Sequence, residues 1–490
     1  MKYFSTRNNC LKVTASQAIA RGLAPDGGLF VPEVMPALTQ SELSSLCNLH
    51  YRGRALYIMA KFLYEFEKEE LESFVNAAYG ENFYHPDVAP LRFLGEGTAM
   101  LELWHGPTCA FKDMALQMLP HLLTASLRKN GERREVCILV ATSGDTGKAA
   151  LEGFKDVEGT RIIVFYPRDG VSDIQKLQMT TQAGNNVLVS AVAGNFDDAQ
   201  TGVKAIFRDR EFEKMLDGRG FFLSSANSIN WGRLLPQIVY YISAYCELLK
   251  ANRIKVGEKV NFCVPTGNFG NILAAWYAKE MGLPVNKLIC ASNRNNILTD
   301  FINTGVYDRN REFHTTISPS MDILISSNLE RLLYALSSDV DVSNYMSQLN
   351  ETGKYAVSNE IKEAVNSDFA AGHCSDEDTK AEIKRVFKEY NYLMDTHTAV
   401  AYKVLRDYRQ ASGDMTASVV VSTASPFKFA EDVLDALGAK TGYESPLKAL
   451  TEATGVTSPV PLDGLEKRPV RFSECVEKSE MLGLVDSFLS

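Results

Sequence analysis

The chain has 490 residues, 45% of them hydrophobic and 23% charged, and a formal net charge of −9. Such a length can bury a large core and is expected to divide into two or three domains, while the acidic balance and the want of a long basic run argue against a nucleic-acid partner. The longest apolar runs, such as 136–141, are far too short to span a bilayer, and MKYFSTRNN at the amino terminus has no signal-peptide core, so a cytoplasmic location without membrane attachment is expected.

Residues 1–95 are expected to form an amino-terminal, mainly helical domain. Apolar residues recur at helical spacing in 57–66 and 69–78, and Phe62, Phe66 and Phe74 are expected to pack in a core rather than to line a cofactor. The segment HGPTCAFKDMALQ (105–117) then places Lys112 between an aromatic residue and an aspartate at the start of an apolar helix. A lysine amine becomes a nucleophile when apolar surroundings or nearby positive charge lower its proton affinity, and Phe111, Met114, Ala115 and Leu116 supply apolar neighbours. Taken alone, F-K-D also describes an exposed charge pair beside a helix. Cys109 is a rival nucleophile, although a small buried packing residue is the simpler reading.

From residue 131 the pattern changes to strands alternating with helices. EVCILVAT (135–142) reads as a buried strand, SGDTG (143–147) as a turn and 148–154 as the helix it opens; strands near 161–166 and 187–191 follow, each succeeded by amphipathic sequence. This rhythm predicts a parallel sheet with crossover helices, a smaller α/β domain over 131–232. A second series at 260–264, 287–291 and 418–422 predicts a larger α/β domain made of 96–130 and 233–490. Within it PTGNFGN (265–271) joins a strand to the helix 272–280, and Gly267 and Gly270 let the main chain approach an anion closely. Either glycine turn alone also fits an ordinary helix cap.

Ligands of open parallel sheets sit beyond the carboxyl ends of the strands, where SGDTG, GNFGN and STASP all fall, so one shared cleft is expected. The polar stretch 337–390 reads as an elaboration in which Asp376, Glu377 and Asp378 form a solvated acidic face. The nine cysteines include no C-x-x-C pair and the seven histidines no H-E-x-x-H, so reduced thiols and no metal site are expected. The tail 443–490 carries a helix to which no chemistry attaches. Together, a lysine able to form a Schiff base and two anion cradles point to pyridoxal phosphate acting on an amino acid that itself bears an acidic group.

HGPTCAFKDMALQ, ATSGDTG, PTGNFGN and VVVSTASPFKF (419–429), with STR (5–7) and GLAPDGGLFVPE (22–33), closely resemble the longer form of threonine synthase, in the same order and over the chain as far as about Lys428. The resemblance implies the fold of tryptophan synthase β-chain, pyridoxal-enzyme fold type II: two open parallel-sheet α/β domains facing a cofactor cleft, with a helical amino-terminal domain. It implies that Lys112 holds pyridoxal 5′-phosphate, that Gly267, Asn268, Phe269, Gly270 and Asn271 bind its phosphate, and that Thr423 meets the pyridine nitrogen. A hydroxyl there holds carbanion charge in the ring less deeply than a carboxylate does.

The implied substrate is O-phosphohomoserine, met by Thr142, Ser143, Asp145 and Thr146 and by Asn227 and Arg233 of SANSINWGR. For Arg233 the plain alternative is a salt bridge. Asp145 departs from the asparagine that many fold type II relatives carry, and a carboxylate near a phosphate repels it unless protonated or turned away. The implied reaction yields threonine and phosphate; the alternatives are a phospholyase that releases 2-oxobutyrate, or a non-catalytic protein that binds the cofactor or a ligand. The partner is thus a small phosphorylated amino acid, and monomer and homodimer both remain open.

Overall fold

The computed structural model describes residues 1–490 except 96, 143, 170, 441 and 443. The apolar, β-branched runs become the inner strands of two sheets. The larger has six strands in the spatial order Phe369–His373, Val285–Ser292, Val260–Pro265, Ser418–Ser422, Thr98–Glu102 and Leu91–Phe93. All neighbours are parallel except the last pair, which is antiparallel. Its two central strands, VNFCVP and SVVVS, are buried at every residue, as a parallel sheet covered on both faces requires. The smaller sheet is parallel throughout, in the order Cys475–Val476, Val187–Val192, Thr160–Pro167, Glu135–Ala141 and Phe221–Ser224. This is the expected α/β arrangement of two parallel sheets with helices, apart from the antiparallel edge strand Leu91–Phe93.

The helix Trp231–Lys250 runs through the core, with seventeen of its twenty residues buried. It packs on Gly270–Glu280 from the larger unit and on Gln40–Cys47 and Tyr51–Phe62 from the amino-terminal region, which joins that region to the larger unit. Among the described residues no helix is long and apolar enough to cross a membrane.

Four features depart from the sequence expectations. The amino-terminal region contains an antiparallel sheet of Asn8–Val13, Tyr3–Ser5 and Phe30–Pro32 besides its helices. The helix expected over 57–66 spans Tyr51–Phe62, and Phe66 is buried beyond its end, so helical spacing there reflects burial rather than helix. The elaboration at 337–390 contributes Phe369–His373, an edge strand of the larger sheet that is too short and too glycine- and alanine-rich to declare itself. Finally, Cys475–Val476 pairs with Val187–Val192 and the helix Met481–Phe488 covers the same sheet. We therefore propose the three-part division with the tail from 475 moved from the larger unit to the smaller.

Candidate active site

The site begins where HGPTCAFK folds against the end of Ser418–Ser422. Ala110 bridges to Ala424, and the Phe111 amide donates to the Thr423 carbonyl at 2.7 Å, which sets Lys112 beside the buried Thr423. Cys109 takes a left-handed backbone, φ 57°, to make this bend. Asp113, fully buried, accepts from the Thr108 amide at 2.8 Å and the Thr108 hydroxyl at 2.6 Å. Burial pushes its carboxyl up to about 6 against the pull of those hydrogen bonds. Asp113 thus staples the loop, and Lys112 turns away from it instead of forming an F-K-D charge pair.

The Lys112 side chain is 12% exposed, and its Nζ donates to Ser320 Oγ at 3.3 Å and lies 3.9 Å from Asp145 Oδ2. Burial lowers its ammonium to about 8; the Asp145 charge opposes that shift, while Arg233 and Lys428 reinforce it. A useful fraction of free amine therefore exists near neutral pH. Cys109, the rival, is completely buried, and desolvation pushes its thiol far above the ordinary range, which leaves it a packing residue.

The second turn is held open from behind. Phe269 adopts a left-handed backbone at φ 63°, just before Gly270–Glu280 begins, and its ring packs on Phe369 inside the core. Its contribution to the site is therefore main chain. The Gly267 carbonyl accepts from Ser326 Oγ at 2.7 Å, and the Asn268 carbonyl accepts from the amide and the side chain of Asn328, each at 3.1 Å. Among the described residues, the amides of Gly267, Asn268, Phe269 and Gly270 donate to no protein acceptor. Asn271 Oδ1 accepts from Tyr240 and Tyr241, at 2.5 and 2.7 Å, which leaves its amide nitrogen buried and, among the described residues, without a partner. Unpaired amides at a helix start, joined by an orphaned side-chain donor, fit the phosphate of a cofactor.

Ser320 connects the two halves of this site. Its hydroxyl touches Lys112, and a Cβ placed on Gly267 would sit 2.5 Å from its carbonyl oxygen. The Ser320 amide donates to His397 Nε2 at 3.1 Å, which leaves Nδ1 to carry the ring proton toward Asp395 Oδ1 at 2.9 Å. Nothing in the local sequence marks Ser320, because only the return of the 314–322 loop brings it here.

The first turn is built differently. Thr142 Oγ1 accepts from the amides of Gly144 and Gly147, both at 3.0 Å, so its hydroxyl is spent shaping the loop. Gly144 has φ 146°, and a Cβ there would strike the Gln175 amide at 2.6 Å. Asp145 opens the helix Asp145–Phe154 but faces away from solvent: Oδ1 accepts from Gln175 Nε2 at 2.7 Å and pairs with Lys428 Nζ at 2.8 Å. Burial raises its carboxyl, and Lys428 with Lys112 more than reverses this, so Asp145 stays ionised far below the usual range. Thr146 is half-buried beside it, and Ser143 lies outside the described residues.

Arg233, 4% exposed, donates to the Ala226 carbonyl at 2.8 Å, and its Nε has no partner among the described residues. Burial lowers it to about 10. The salt bridge that would make it ordinary is absent among the described residues. Asn227 is exposed on the loop leading to Arg233, and its carbonyl accepts from the Asn230 amide at 3.1 Å.

Comparison with known proteins places this geometry in context. Residues 2–79 match the family described as Threonine synthase N terminus, 98–425 match Pyridoxal-phosphate dependent enzyme, and 398–483 match Threonine synthase, C-terminal. Threonine synthase-like 1 of Macaca fascicularis is 43% identical over 87% of this chain, which spans only 58% of that protein's length. The threonine synthase of Pseudomonas aeruginosa is 41% identical over 88% of this chain and 90% of its own. Among solved structures, PLP-bound threonine synthase from Brucella melitensis superposes with a TM-score of 0.87 at 37% identity, covering 100% of this chain and 98% of that one.

Proposed function

We propose, from the premise that this chain belongs to the threonine synthase family of pyridoxal-phosphate dependent enzymes, that it converts O-phosphohomoserine and water to L-threonine and inorganic phosphate. The observation that carries the reading is a buried lysine amine of lowered proton affinity, tied through Ser320 to a glycine turn whose amides are free. When bound, pyridoxal phosphate supplies an aldehyde for Lys112 and a ring that accepts electrons from the α-carbon of an amino acid.

The surroundings of the described residues support the following roles. The amides of Gly267, Asn268, Phe269 and Gly270 and the Asn271 side chain hold the cofactor phosphate. Thr423 offers an uncharged hydroxyl to the pyridine nitrogen. Lys112, as a free amine, would take the α-proton and return protons along the carbon chain. Arg233, buried and unpaired with a carboxylate among the described residues, offsets the charge of the departing γ-phosphate, and Asn227 adds an amide donor at the rim. Thr142 keeps the shape of the opposing loop, with Ser143 and Thr146 as hydroxyl donors to substrate. Asp145 stands near the substrate phosphate, and its pairing with Lys428 directs the carboxylate away from that anion.

The test is incubation of the purified chain with O-phosphohomoserine and pyridoxal phosphate, with threonine, 2-oxobutyrate and phosphate measured together. Threonine and phosphate in equal amounts are expected. Phosphate with 2-oxobutyrate in place of threonine would replace this reading with a phospholyase, and no phosphate release at all with a binding protein.

A further inference from the structure

Lys428 is the one residue of the VVVSTASPFKF segment whose charge no part of the proposed reaction employs. Its side chain is 0% exposed, and all three ammonium hydrogens have acceptors: Asp145 Oδ1 at 2.8 Å, the Thr108 carbonyl at 2.9 Å and Gln178 Oε1 at 3.0 Å. Those acceptors come from three places. Asp145 starts a helix of the smaller unit, Gln178 lies on Asp173–Thr180 of the same unit, and Thr108 belongs to the loop that carries Lys112. Lys428 itself projects from the larger unit, on the short helix Pro426–Phe429. Gln178 also donates to the Thr108 carbonyl at 3.2 Å, which closes the network.

A fully buried ammonium is costly to desolvate and persists where its removal would leave something worse. Here that something is Asp145. Without Lys428, its nearest cation is Lys112, 3.9 Å away on the other carboxylate oxygen. Resting on the proposed reaction, we propose that Lys428 is a positioning residue of this site: it joins the two units across the cleft and engages the Asp145 carboxylate, keeping it from capturing the Lys112 amine and from facing the substrate phosphate. The charged groups around Lys112 are Asp145, Arg233 and Lys428; those around Lys428 are Asp145, Lys112, Asp113 and Lys148, with the thiol of Cys109 beside them.

The test reads Lys112 directly and requires no turnover, so its failure is separate from failure of the proposed reaction. The full chain is treated with a trace of acetic anhydride across a range of pH before addition of pyridoxal phosphate, the loaded chain serving as the control in which the amine is blocked, and acetylation of Lys112 is measured by peptide mass spectrometry. In Lys428→Met, the freed carboxylate is expected to hold the Lys112 proton more tightly and lower labelling near neutral pH by about tenfold, one unit of proton affinity. Lys428→Met with Asp145→Asn, which removes both charges, is expected to restore labelling to the parent level or above it. In the loaded enzyme, Lys428→Met is expected to raise KM for O-phosphohomoserine more than it lowers kcat. Unchanged labelling in Lys428→Met, or a double variant labelled as poorly as the single, overturns the proposal. If Lys428→Met does not fold, the double variant decides alone: labelling below the parent level overturns it, and labelling at or above that level sustains it.

Discussion

Two turns in this molecule look alike in sequence and differ in what they can hold. Both follow a buried parallel strand, both contain two glycines and both open a helix. In the 265–271 turn, neighbouring side chains from Ser326 and Asn328 occupy the carbonyls, and the amides of Gly267 to Gly270 have no protein partners among the described residues. In the 142–147 turn the chain supplies its own anion, Asp145, and the Thr142 hydroxyl takes up two of the amides. A glycine turn at a strand end becomes a phosphate cradle only if nothing in its own fold has filled it.

The contrast can be broken at several points. The largest effect belongs to Lys112, which both turns serve: Lys112→Ala is expected to reduce threonine formation by more than about a thousandfold while circular dichroism stays unchanged. A variant that keeps a tenth of the activity would remove the amine from the chemistry. Next, Arg233→Met deletes a charged donor that pairs with no carboxylate among the described residues, and kcat/KM for O-phosphohomoserine should fall by about a hundredfold. Affinity for pyridoxal phosphate, followed by absorbance, should move little.

The two glycines themselves sharpen the comparison. In Gly267→Ala the new methyl meets the Ser320 carbonyl at 2.5 Å, so the cofactor turn must shift and the cofactor dissociation constant should rise about tenfold. In Gly144→Ala the strain comes from φ 146° and the Gln175 amide, and the expected loss is about 1–3 kcal/mol of folding stability, read by denaturant titration. Exchange of these two outcomes would reverse the assignment of the turns.

The smallest effect is a pH dependence. Burial holds the Lys112 ammonium at about 8, below its ordinary 10.5, so between those values the unfolded chain binds more protons than the folded one. Stability of the cofactor-free protein should therefore rise with pH through that window, and Lys112→Met should remove this part of the rise. Melting curves of the two proteins that run parallel from pH 7 to about 10 would contradict the burial argument.

Much of this was legible in the residues. The β-branched runs 135–141, 260–265 and 418–422 announce inner strands because a parallel sheet covered on both faces has no polar side to encode. Lys112 and the GNFGN turn declare themselves because a nucleophilic amine and close main-chain approach depend on local residue types. Illegible were contacts between segments far apart in the chain. Ser320 reaches Lys112 across 208 residues, and nothing in its neighbourhood predicts a hydroxyl at that amine. The strand Cys475–Val476 pairs with Val187–Val192 through a register that short, unpatterned segments do not specify.

Asp145 shows the division most plainly. Its place one residue after Gly144, at a helix start, is a matter of sequence, and from sequence alone the carboxylate faces whatever anion enters the turn. Its orientation is a matter of three dimensions, because the cation that claims it, Lys428, lies 283 positions along the chain and meets it only when two sheets close on one cleft. Local chemistry follows from neighbours along the backbone, whereas the electrostatic balance of a buried site follows from which distant charges the fold brings within about 4 Å, where low polarisability makes each one count.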